Sequence, residues 1–533
     1  MSVIVSTPYG KLEGFEEDGL NKFYGIPFAK PPVGELRFKN AQEPEPWGGV
    51  RQAKAAAKNP MQVLSETKLE IDLDYFSEDC LYLNVWAPKD AKNLPVMVWI
   101  PGGGFQCGGA GLGMKNSAPI QNCTKLAAEG NCVLVSFSYR LGPFGWLNLH
   151  EYSDKFDNYN GMRDQVAALK WVNKCISAFG GDPNNVTIFG VSAGGTSVAG
   201  LLMMPEAHPY FHKAIMESSV MESFFTEEEE HERTQIFLEK MQLDESNIES
   251  LKQTSPEDLI KGFIYISAYT FRTYFPTCIC GPVIDGKTVT NMPNLLNPKA
   301  LKDKIVMIGN NSKEGNFYVY DFAWGMTKQE RYTRANTAFR NFKPENVDKA
   351  YKHYKVPDQE GFADMLRDIW YTAPKLQVAE QLSKETNVYV YQYTYATDNM
   401  HKMGYDCCHS AELYPLFDIR EGEMQKMTID QIREGCEEQL ELVGKSLRQF
   451  WSSFAYTGKP QADIGFDETK VKDEVIGGAT VPDEWKPYDK KHRYTMILPQ
   501  GRLEQDPEKE IRELYDDVRP ITHRACIYKK YGK

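Results

Sequence analysis

Residues 186–195, VTIFGVSAGG, are the most informative stretch of the chain, because they join a run of β-strand formers to a serine flanked by glycines. Ser192 lies between Gly190 and Gly194, and a serine on a very tight strand-to-helix turn requires tiny residues two positions before and after it. Small and then apolar residues follow over 196–204, which is typical of a helix packed closely on a sheet. The pattern predicts a nucleophile elbow. The alternative is a glycine-rich turn with an incidental serine, and the context must decide.

A glycine-rich loop upstream favours the elbow. Residues 94–100, LPVMVWI, form a short apolar run typical of a buried parallel strand, and three glycines follow in residues 101–105, PGGGF. Exposed backbone N–H groups can stabilise the oxyanion of an acyl-transfer intermediate, each donor being worth about 3 kcal/mol. We predict that Gly103, Gly104 and Ala193 are these donors. The alternative is a flexible turn between two sheet elements.

A serine nucleophile also needs a base that takes its proton and an acid that orients the base. In a sheet with this elbow, the acid and then the histidine follow the serine along the chain, so both must come after Ser192. His409 follows an alternating strand pattern in residues 388–395, VYVYQYTY, and is the predicted base. Three other histidines lie in polar, lysine-rich stretches where a solvated surface imidazole is expected: His353, His401 and His492.

Several longer stretches carry a family resemblance. Residues 24–38, YGIPFAKPPVGELRF, and 77–85, SEDCLYLNV, resemble the two signatures of the type-B carboxylesterases, the cholinesterase and carboxylesterase group of the α/β-hydrolase fold. Shorter matches follow in the family's order before the elbow: residues 138–142, 160–165 and 179–183. The resemblance covers most of the chain and is strongest to the bacterial p-nitrobenzyl esterase-like group.

The resemblance implies an α/β fold with a large, mostly parallel, twisted central sheet flanked by helices. It implies one domain over residues 1–533, with helical insertions near 226–275 and 327–383 that form a pocket wall. Length alone would suggest three to four domains.

The resemblance also assigns the remaining site residues. Residues 304–309, KIVMIG, predict a strand that leads to Glu314, the family's acid position, and His409 lies in a stretch that resembles the family's histidine loop. Ser218 matches a serine that supports the triad by hydrogen bonding; a buried serine that caps a strand is the alternative. In the family, Arg37 pairs with Glu78 and Arg140 with Asp164, so we expect structural ion pairs from these four charges.

Three positions depart from the family pattern. Pro101 replaces a residue that is often histidine or aromatic, which stiffens the loop and removes a donor. Val191 replaces the usual glutamate before the nucleophile, so we expect a less acidic surrounding for Ser192 and an altered specificity. Cys80 matches a half-cystine of many relatives, yet residues 58–62 contain no partner cysteine.

Aromatic residues in the predicted insertions and loops are candidates for the substrate pocket, and a place in the core is the alternative for each of them. The candidates are Phe105, Phe224, Phe225, Phe271, Tyr274, Phe275, Tyr318 and Phe417. The loop over residues 61–79 has no tryptophan, which disfavours a choline-binding site.

The composition restricts the partners and the compartment. A formal net charge of -12 argues against nucleic acid and anionic membrane surfaces as partners. Eleven cysteines leave at least one thiol unpaired, and the N-terminus lacks the pattern of a signal peptide, so we expect a cytoplasmic protein. No run approaches a membrane span, and the cysteine spacing lacks a zinc pattern. We expect no metal and no cofactor; the oligomeric state is left open.

Together these features predict a serine carboxylesterase that acts on small to medium, uncharged or aromatic esters through an acyl-enzyme. The first alternative is an amidase or peptidase with the same triad, which must protonate a poorer leaving group. The second is a non-catalytic binding relative, although all three triad positions are filled here.

Overall fold

The computed structural model describes residues 1–62, 71–111, 122–274, 280–291, 296–321, 326–339, 342, 344–424, 427–467, 469 and 479–516. A large sheet organises this part of the chain. Its thirteen described strands are β1 Ser2–Thr7, β2 Gly10–Glu17, β3 Leu20–Pro27, β4 Val50–Gln52, β5 Tyr82–Pro88, β6 Leu94–Ile100, β7 Val133–Phe137, β8 Gly181–Val191, β9 Lys213–Glu217, β10 Ile305–Asn311, β11 Val388–Tyr393, β12 Tyr494–Leu498 and β13 Arg502–Gln505.

The strands follow the order β1-β2-β3-β5-β7-β6-β8-β9-β10-β11-β12-β13, and β4 pairs with β2. Every pairing from β7 through β12 is parallel. The pairings β1–β2, β2–β3, β3–β5, β5–β7 and β12–β13 are antiparallel, whereas β4 pairs with β2 in parallel. The sheet is therefore mostly parallel in the half that carries the elbow, as the sequence predicts. Short two-stranded ribbons accompany it: Asn59–Pro60 with Phe76–Ser77, Phe225–Thr226 with Val283–Ile284, Glu423–Met424 with Met427–Thr428, and Gly465–Phe466 with Ala479–Thr480.

Fourteen helices of the described ranges lie between the strands of the parallel half, and a fifteenth follows the last strand. They are α1 Thr124–Gly130, α2 Asn160–Cys175, α3 Ala193–Leu202, α4 Glu227–Met241, α5 Pro256–Tyr274, α6 Glu314–Asp321, α7 Lys328–Ala338, α8 Pro344–Tyr354, α9 Gln359–Arg367, α10 Ala373–Leu382, α11 Asp398–Lys402, α12 Leu413–Leu416, α13 Ile429–Arg433, α14 Glu437–Thr457 and α15 Lys509–Leu514. A π-helical turn, Asp368–Thr372, joins α9 to α10. Short 3-10 turns lie at Gly34–Leu36, Gly142–Phe144, Ile176–Phe179, His208–Tyr210, Met221–Ser223, Ile248–Lys252 and Pro298–Leu301. Of the helices in the described ranges, none has both the length and the apolar composition that crossing a bilayer requires.

Both faces of the parallel half of the sheet are buried, which explains the continuous apolar runs in its strands. In β6, Val96 and Val98 belong to one hydrophobic cluster, whereas Met97 and Trp99 belong to another on the opposite face. Helix α3 contributes to the first cluster, and α14 contributes Trp451 and its neighbours to the second. The elbow strand β8 thus lies between two helical layers.

The expected structural ion pairs are confirmed. Arg140 Nη2 lies 2.7 Å from Asp164 Oδ1, and both side chains are almost fully buried. Arg37 Nε donates to Glu78 Oε2 at 2.6 Å, and its Nη1 donates to the carbonyl of Thr254 at 2.7 Å. These ion pairs stabilise the fold, and none of the four residues has a proposed chemical role.

Because the Arg140–Asp164 pair is buried, removing one partner leaves an uncompensated charge. We expect Asp164→Ala to lower the free energy of unfolding by about 3–5 kcal/mol, as is typical of a broken buried pair. Glu249→Ala is the matched control, because its partner Lys155 and Glu249 itself are each about half exposed, and we expect a loss below about 1 kcal/mol. Urea unfolding of both variants measures the difference. Equal losses would contradict this account of the pair.

Candidate active site

The serine lies on a strained turn between β8 and α3. Ser192 has φ 58° and ψ −125°, a backbone conformation that non-glycine residues rarely adopt. A Cβ atom on Gly190 would lie 2.5 Å from the carbonyl oxygen of Ile100, and one on Gly194 would lie 2.0 Å from the same oxygen. The turn therefore admits only glycine at these two positions. The structure agrees with the elbow predicted from residues 186–195.

The glycine loop begins where β6 ends and runs against the serine. A Cβ atom on Gly102 would lie 3.3 Å from Cβ of Ser192. Gly103 and Gly104 both have positive φ angles, 113° and 60°. Ala193 is the first residue of α3. The three predicted oxyanion donors thus lie on the two chain segments that meet at the serine.

The predicted acid and base form a buried hydrogen-bonded pair. His409 Nδ1 lies 2.6 Å from Glu314 Oε2, the glutamate side chain is fully buried and the histidine side chain is 5% exposed. The other carboxylate oxygen, Oε1, accepts hydrogen bonds from Ser218 Oγ at 2.5 Å and from the backbone N–H of Asn311 at 2.7 Å. Ser218 therefore contacts the predicted acid, as the resemblance implies. These bonds fix the carboxylate on the Nδ1 side of the ring.

The opposite nitrogen of the imidazole is buried and has no hydrogen-bond partner among the described residues. Because Nδ1 faces the carboxylate of Glu314, Nε2 is the nitrogen that can accept a proton from a hydroxyl group. This arrangement is the one that a general base in a serine hydrolase needs. The histidines with polar sequence surroundings differ, since His401 is half exposed and pairs with Asp406.

Three aromatic rings surround His409. The ring centroids of Phe317, Tyr318 and Tyr371 lie 5.5, 5.6 and 5.2 Å from that of the imidazole. The hydroxyl groups of Tyr318 and Tyr371 are hydrogen-bonded to each other. Tyr318 was a pocket candidate, whereas sequence reasoning missed Tyr371. Its position depends on the π-helical turn Asp368–Thr372, which shifts the helical register in a way that hydrophobic periodicity does not reveal.

The other pocket candidates with described side chains are buried and lie away from the ring of His409. Phe105 packs at 4.2 Å centroid distance on Trp146, and Phe417 packs at 4.8 Å on Trp99. Phe224 is fully buried in the same core cluster as Phe105, and Phe225 is 1% exposed. These contacts favour the core alternative for the four phenylalanines. Phe275 lies outside the described residues, as do the side chains of Phe271 and Tyr274.

Two further buried carboxyl groups lie behind the pair. Glu412 Oε2 accepts a hydrogen bond from Asn311 Nδ2 at 2.5 Å. Burial raises the pKa of Glu412 to about 7, and the charge of Glu314 adds to this shift. Glu217 Oε1 accepts a hydrogen bond from Trp451 Nε1 at 2.8 Å. Burial, and then the charge of Glu412, raise the pKa of Glu217 well above its ordinary range.

The replacement of the usual glutamate by Val191 predicts a less acidic surrounding for Ser192, and these two buried glutamates bear on that prediction. Glu217 is the direct partner of Val191 in the pairing of β8 with β9, so a carboxyl group lies one strand away from the position that the usual glutamate would occupy. Sequence reasoning gave neither glutamate a role. The available signal was proximity along the chain, because Glu217 precedes Ser218 and Glu412 follows His409 by three residues.

An elbow serine, a buried acid–histidine pair and a glycine loop, all on one mostly parallel sheet, define a hydrolase of the α/β-hydrolase fold. The chain belongs to the carboxylesterase family, whose sequence profile matches residues 1–513. It is 34% identical over 523 residues to a para-nitrobenzyl esterase of Bacillus subtilis (strain 168), covering 96% of this chain and 98% of the relative. It is 30% identical to liver carboxylesterase 1 of Oryctolagus cuniculus, covering 93% and 89%.

Solved structures agree. A PNB esterase structure aligns with a TM-score of 0.79 and 32% identity, covering 96% of this chain and 99% of that chain. The predicted family, fold and class of enzyme are confirmed: the protein is a carboxylesterase that hydrolyses carboxylic esters.

Glu412 predicts a pH-dependent stability. A carboxyl group whose pKa is raised on folding stabilises the fold fully below its unfolded pKa, about 4.3, and this contribution is lost as the pH rises through about 7. Glu412→Gln removes the titration but keeps the shape. We therefore expect the melting temperature of the wild type, relative to that of Glu412→Gln, to fall between pH 5 and pH 8. Glu245→Gln, at an exposed position, is the control and should show no such trend. A constant difference for Glu412→Gln would contradict the assignment.

Proposed function

We propose that Ser192, His409 and Glu314 form the catalytic triad of this esterase. The observation that carries the proposal is the 2.6 Å hydrogen bond between the buried His409 Nδ1 and Glu314 Oε2, which leaves Nε2 as the proton acceptor. The strained position of Ser192 at the N-terminus of α3 supports the same assignment, since a tight elbow presents the hydroxyl group away from the helix backbone. In this proposal Ser218 is a positioning residue, because its hydroxyl group holds Glu314.

The reaction follows from these roles. Ser192 Oγ attacks the ester carbonyl carbon while His409 Nε2 takes its proton, and Glu314 holds the ring in the tautomer that leaves Nε2 unprotonated. The backbone N–H groups of Gly103, Gly104 and Ala193 stabilise the oxyanion of the tetrahedral intermediate. His409 then gives its proton to the leaving alcohol. Water attacks the acyl-enzyme by the same steps and releases the acid.

The proposed substrates are small to medium, uncharged or aromatic esters. The rings of Phe317, Tyr318 and Tyr371 around His409 support this class, because flat apolar surfaces bind acyl or aryl groups and carry no charge. The name of the relative from Bacillus subtilis also supports it, since a para-nitrobenzyl ester is an uncharged aromatic ester.

Two further proposals concern the domain organisation and the cellular location of the protein. Helices α4 and α5, and α7 to α10, lie in the two segments where the sequence predicts insertions, which supports one domain with helical insertions. A cytoplasmic location stays a prediction from the sequence.

The triad is tested with single substitutions and a p-nitrophenyl ester. We expect Ser192→Ala and His409→Ala each to lower kcat by about 10⁴-fold or more, because the members of a triad act as a unit. His401→Ala is the matched histidine control, with an exposed ring outside the site, and should keep the wild-type kcat. Circular dichroism checks that each variant is folded. Full activity of folded Ser192→Ala would exclude the proposed mechanism.

The alternative of an amidase is tested with a matched pair of substrates. The amine that leaves from an anilide is a much poorer leaving group than p-nitrophenol and must be protonated before it leaves. The esterase site should therefore hydrolyse a p-nitrophenyl ester at least about 10²-fold faster than the p-nitroanilide of the same acid, because general-acid catalysis typically contributes a factor of about this size. Comparable values of kcat/KM for the two substrates would favour the amidase instead.

A further inference from the structure

Gly104 is the glycine of residues 102–104 that neighbouring atoms crowd least. A Cβ atom on Gly103 would lie 2.1 Å from the carbonyl oxygen of Cys107, so close packing already fixes Gly103. A Cβ atom on Gly104 would meet nothing closer than Gln106 Nε2, at 3.6 Å. Glycine loses much conformational freedom when it is ordered. Gly104 therefore needs contacts from polar groups to hold its peptide planes.

Two thiol groups provide such contacts, one on each side of Gly104. Cys107 Sγ donates to the carbonyl oxygen of Gly103 at 3.3 Å. Cys280 Sγ donates to the carbonyl oxygen of Gly104 at 3.6 Å. The Gly103 oxygen also accepts the backbone N–H groups of Gln106 and Cys107, both at 3.0 Å. The two peptide units that flank Gly104 are thus both held at their carbonyl ends.

The neighbouring peptides are held in the same way by other groups. Tyr139 Oη donates to the carbonyl oxygen of Pro101 at 2.8 Å, and the backbone N–H of Gly142 donates to that of Phe105, also at 2.8 Å. The two thiols are therefore among several donors that hold the carbonyl groups of residues 101–105.

In a trans peptide, the C=O of one residue and the N–H of the next point in opposite directions. A donor on the carbonyl of Gly103 therefore sets the direction of the Gly104 N–H. We propose that Cys107 and Cys280 are positioning residues for the esterase reaction, which hold the peptides on both sides of Gly104 so that its N–H points at the oxyanion. This inference rests on the proposed function, because it takes Gly104 to be an oxyanion donor.

The first test replaces the thiols. Cys107→Ala should lower kcat about two- to fivefold with KM little changed, because losing a weak S–H donor weakens an interaction that matters mainly in the transition state. Cys107→Ser keeps a donor and should recover most of this loss. Cys280→Ala should behave like Cys107→Ala. Cys436→Ala removes a thiol at the start of α14 and is the matched control, with kcat unchanged.

The second test modifies the wild-type protein. Among the nine cysteines that the structure describes, Cys107 is exposed and the other eight are buried. Methyl methanethiosulfonate transfers a methylthio group: the Cys107 thiolate attacks the sulfenyl sulfur, a disulfide forms and methanesulfinate leaves. We expect kcat to fall by the same factor of about two to five as in Cys107→Ala and to return after dithiothreitol reduces the disulfide. Mass spectrometry locates the methylthio group, and Cys107→Ser treated in parallel corrects for other thiols.

The outcomes separate this inference from the proposed function. If wild-type enzyme that is fully methylthiolated at Cys107 keeps its kcat, and Cys107→Ala also keeps it, the positioning role is wrong even though Ser192→Ala is inactive. A drop in kcat that Cys107→Ser fails to recover would mean that the site needs the shape of cysteine and not its donor, which also overturns the proposal. If Ser192→Ala stays active, the proposed function itself fails.

Discussion

The site depends on the close approach of one carbonyl oxygen to the elbow. The oxygen of Ile100, the last residue of β6, would lie 2.5 Å from a Cβ atom on Gly190 and 2.0 Å from one on Gly194. This close approach requires glycine on both sides of Ser192. It also sets the start of the glycine loop, because the chain leaves β6 at Ile100 and continues directly into that loop. A single packing constraint therefore brings the nucleophile and the predicted oxyanion donors together.

The parallel strands place the remaining groups at the same edge. Ser192, Ser218, Glu314 and His409 follow β8, β9, β10 and β11, four strands that are consecutive in the sheet and parallel to each other. The carboxyl ends of parallel strands lie on one side, so residues that are up to 217 positions apart in the sequence converge there. Glu314, which follows β10, accepts hydrogen bonds from Ser218 and from the backbone of Asn311 and pairs with His409, so the ends of β9, β10 and β11 are linked through this one carboxylate.

This convergence explains which parts the sequence could predict. The nucleophile, the acid, the base and the glycine loop each follow a recognisable strand pattern, and the resemblance picks Glu314 and His409 from the other acidic residues and histidines that follow Ser192. The burial of Glu217 and Glu412 near the site could not be predicted, because residues distant in the sequence form their surroundings. Trp451, on α14, contacts Glu217, and Asn311, on β10, contacts Glu412. Phe417 could not be assigned either, since an aromatic residue near the site packs equally well in a pocket or, as here, on Trp99 in the core.

In the proposed mechanism, Ser192 carries the acyl group during turnover. Rapid mixing with the p-nitrophenyl ester of a hindered acid, followed by acid quench and peptide mass spectrometry, tests this step, because slow deacylation accumulates the intermediate. We expect an acyl group on the peptide that contains Ser192, formed at the rate of the burst of p-nitrophenol. Turnover without acylation of Ser192, or acylation of a different residue at that rate, would contradict it.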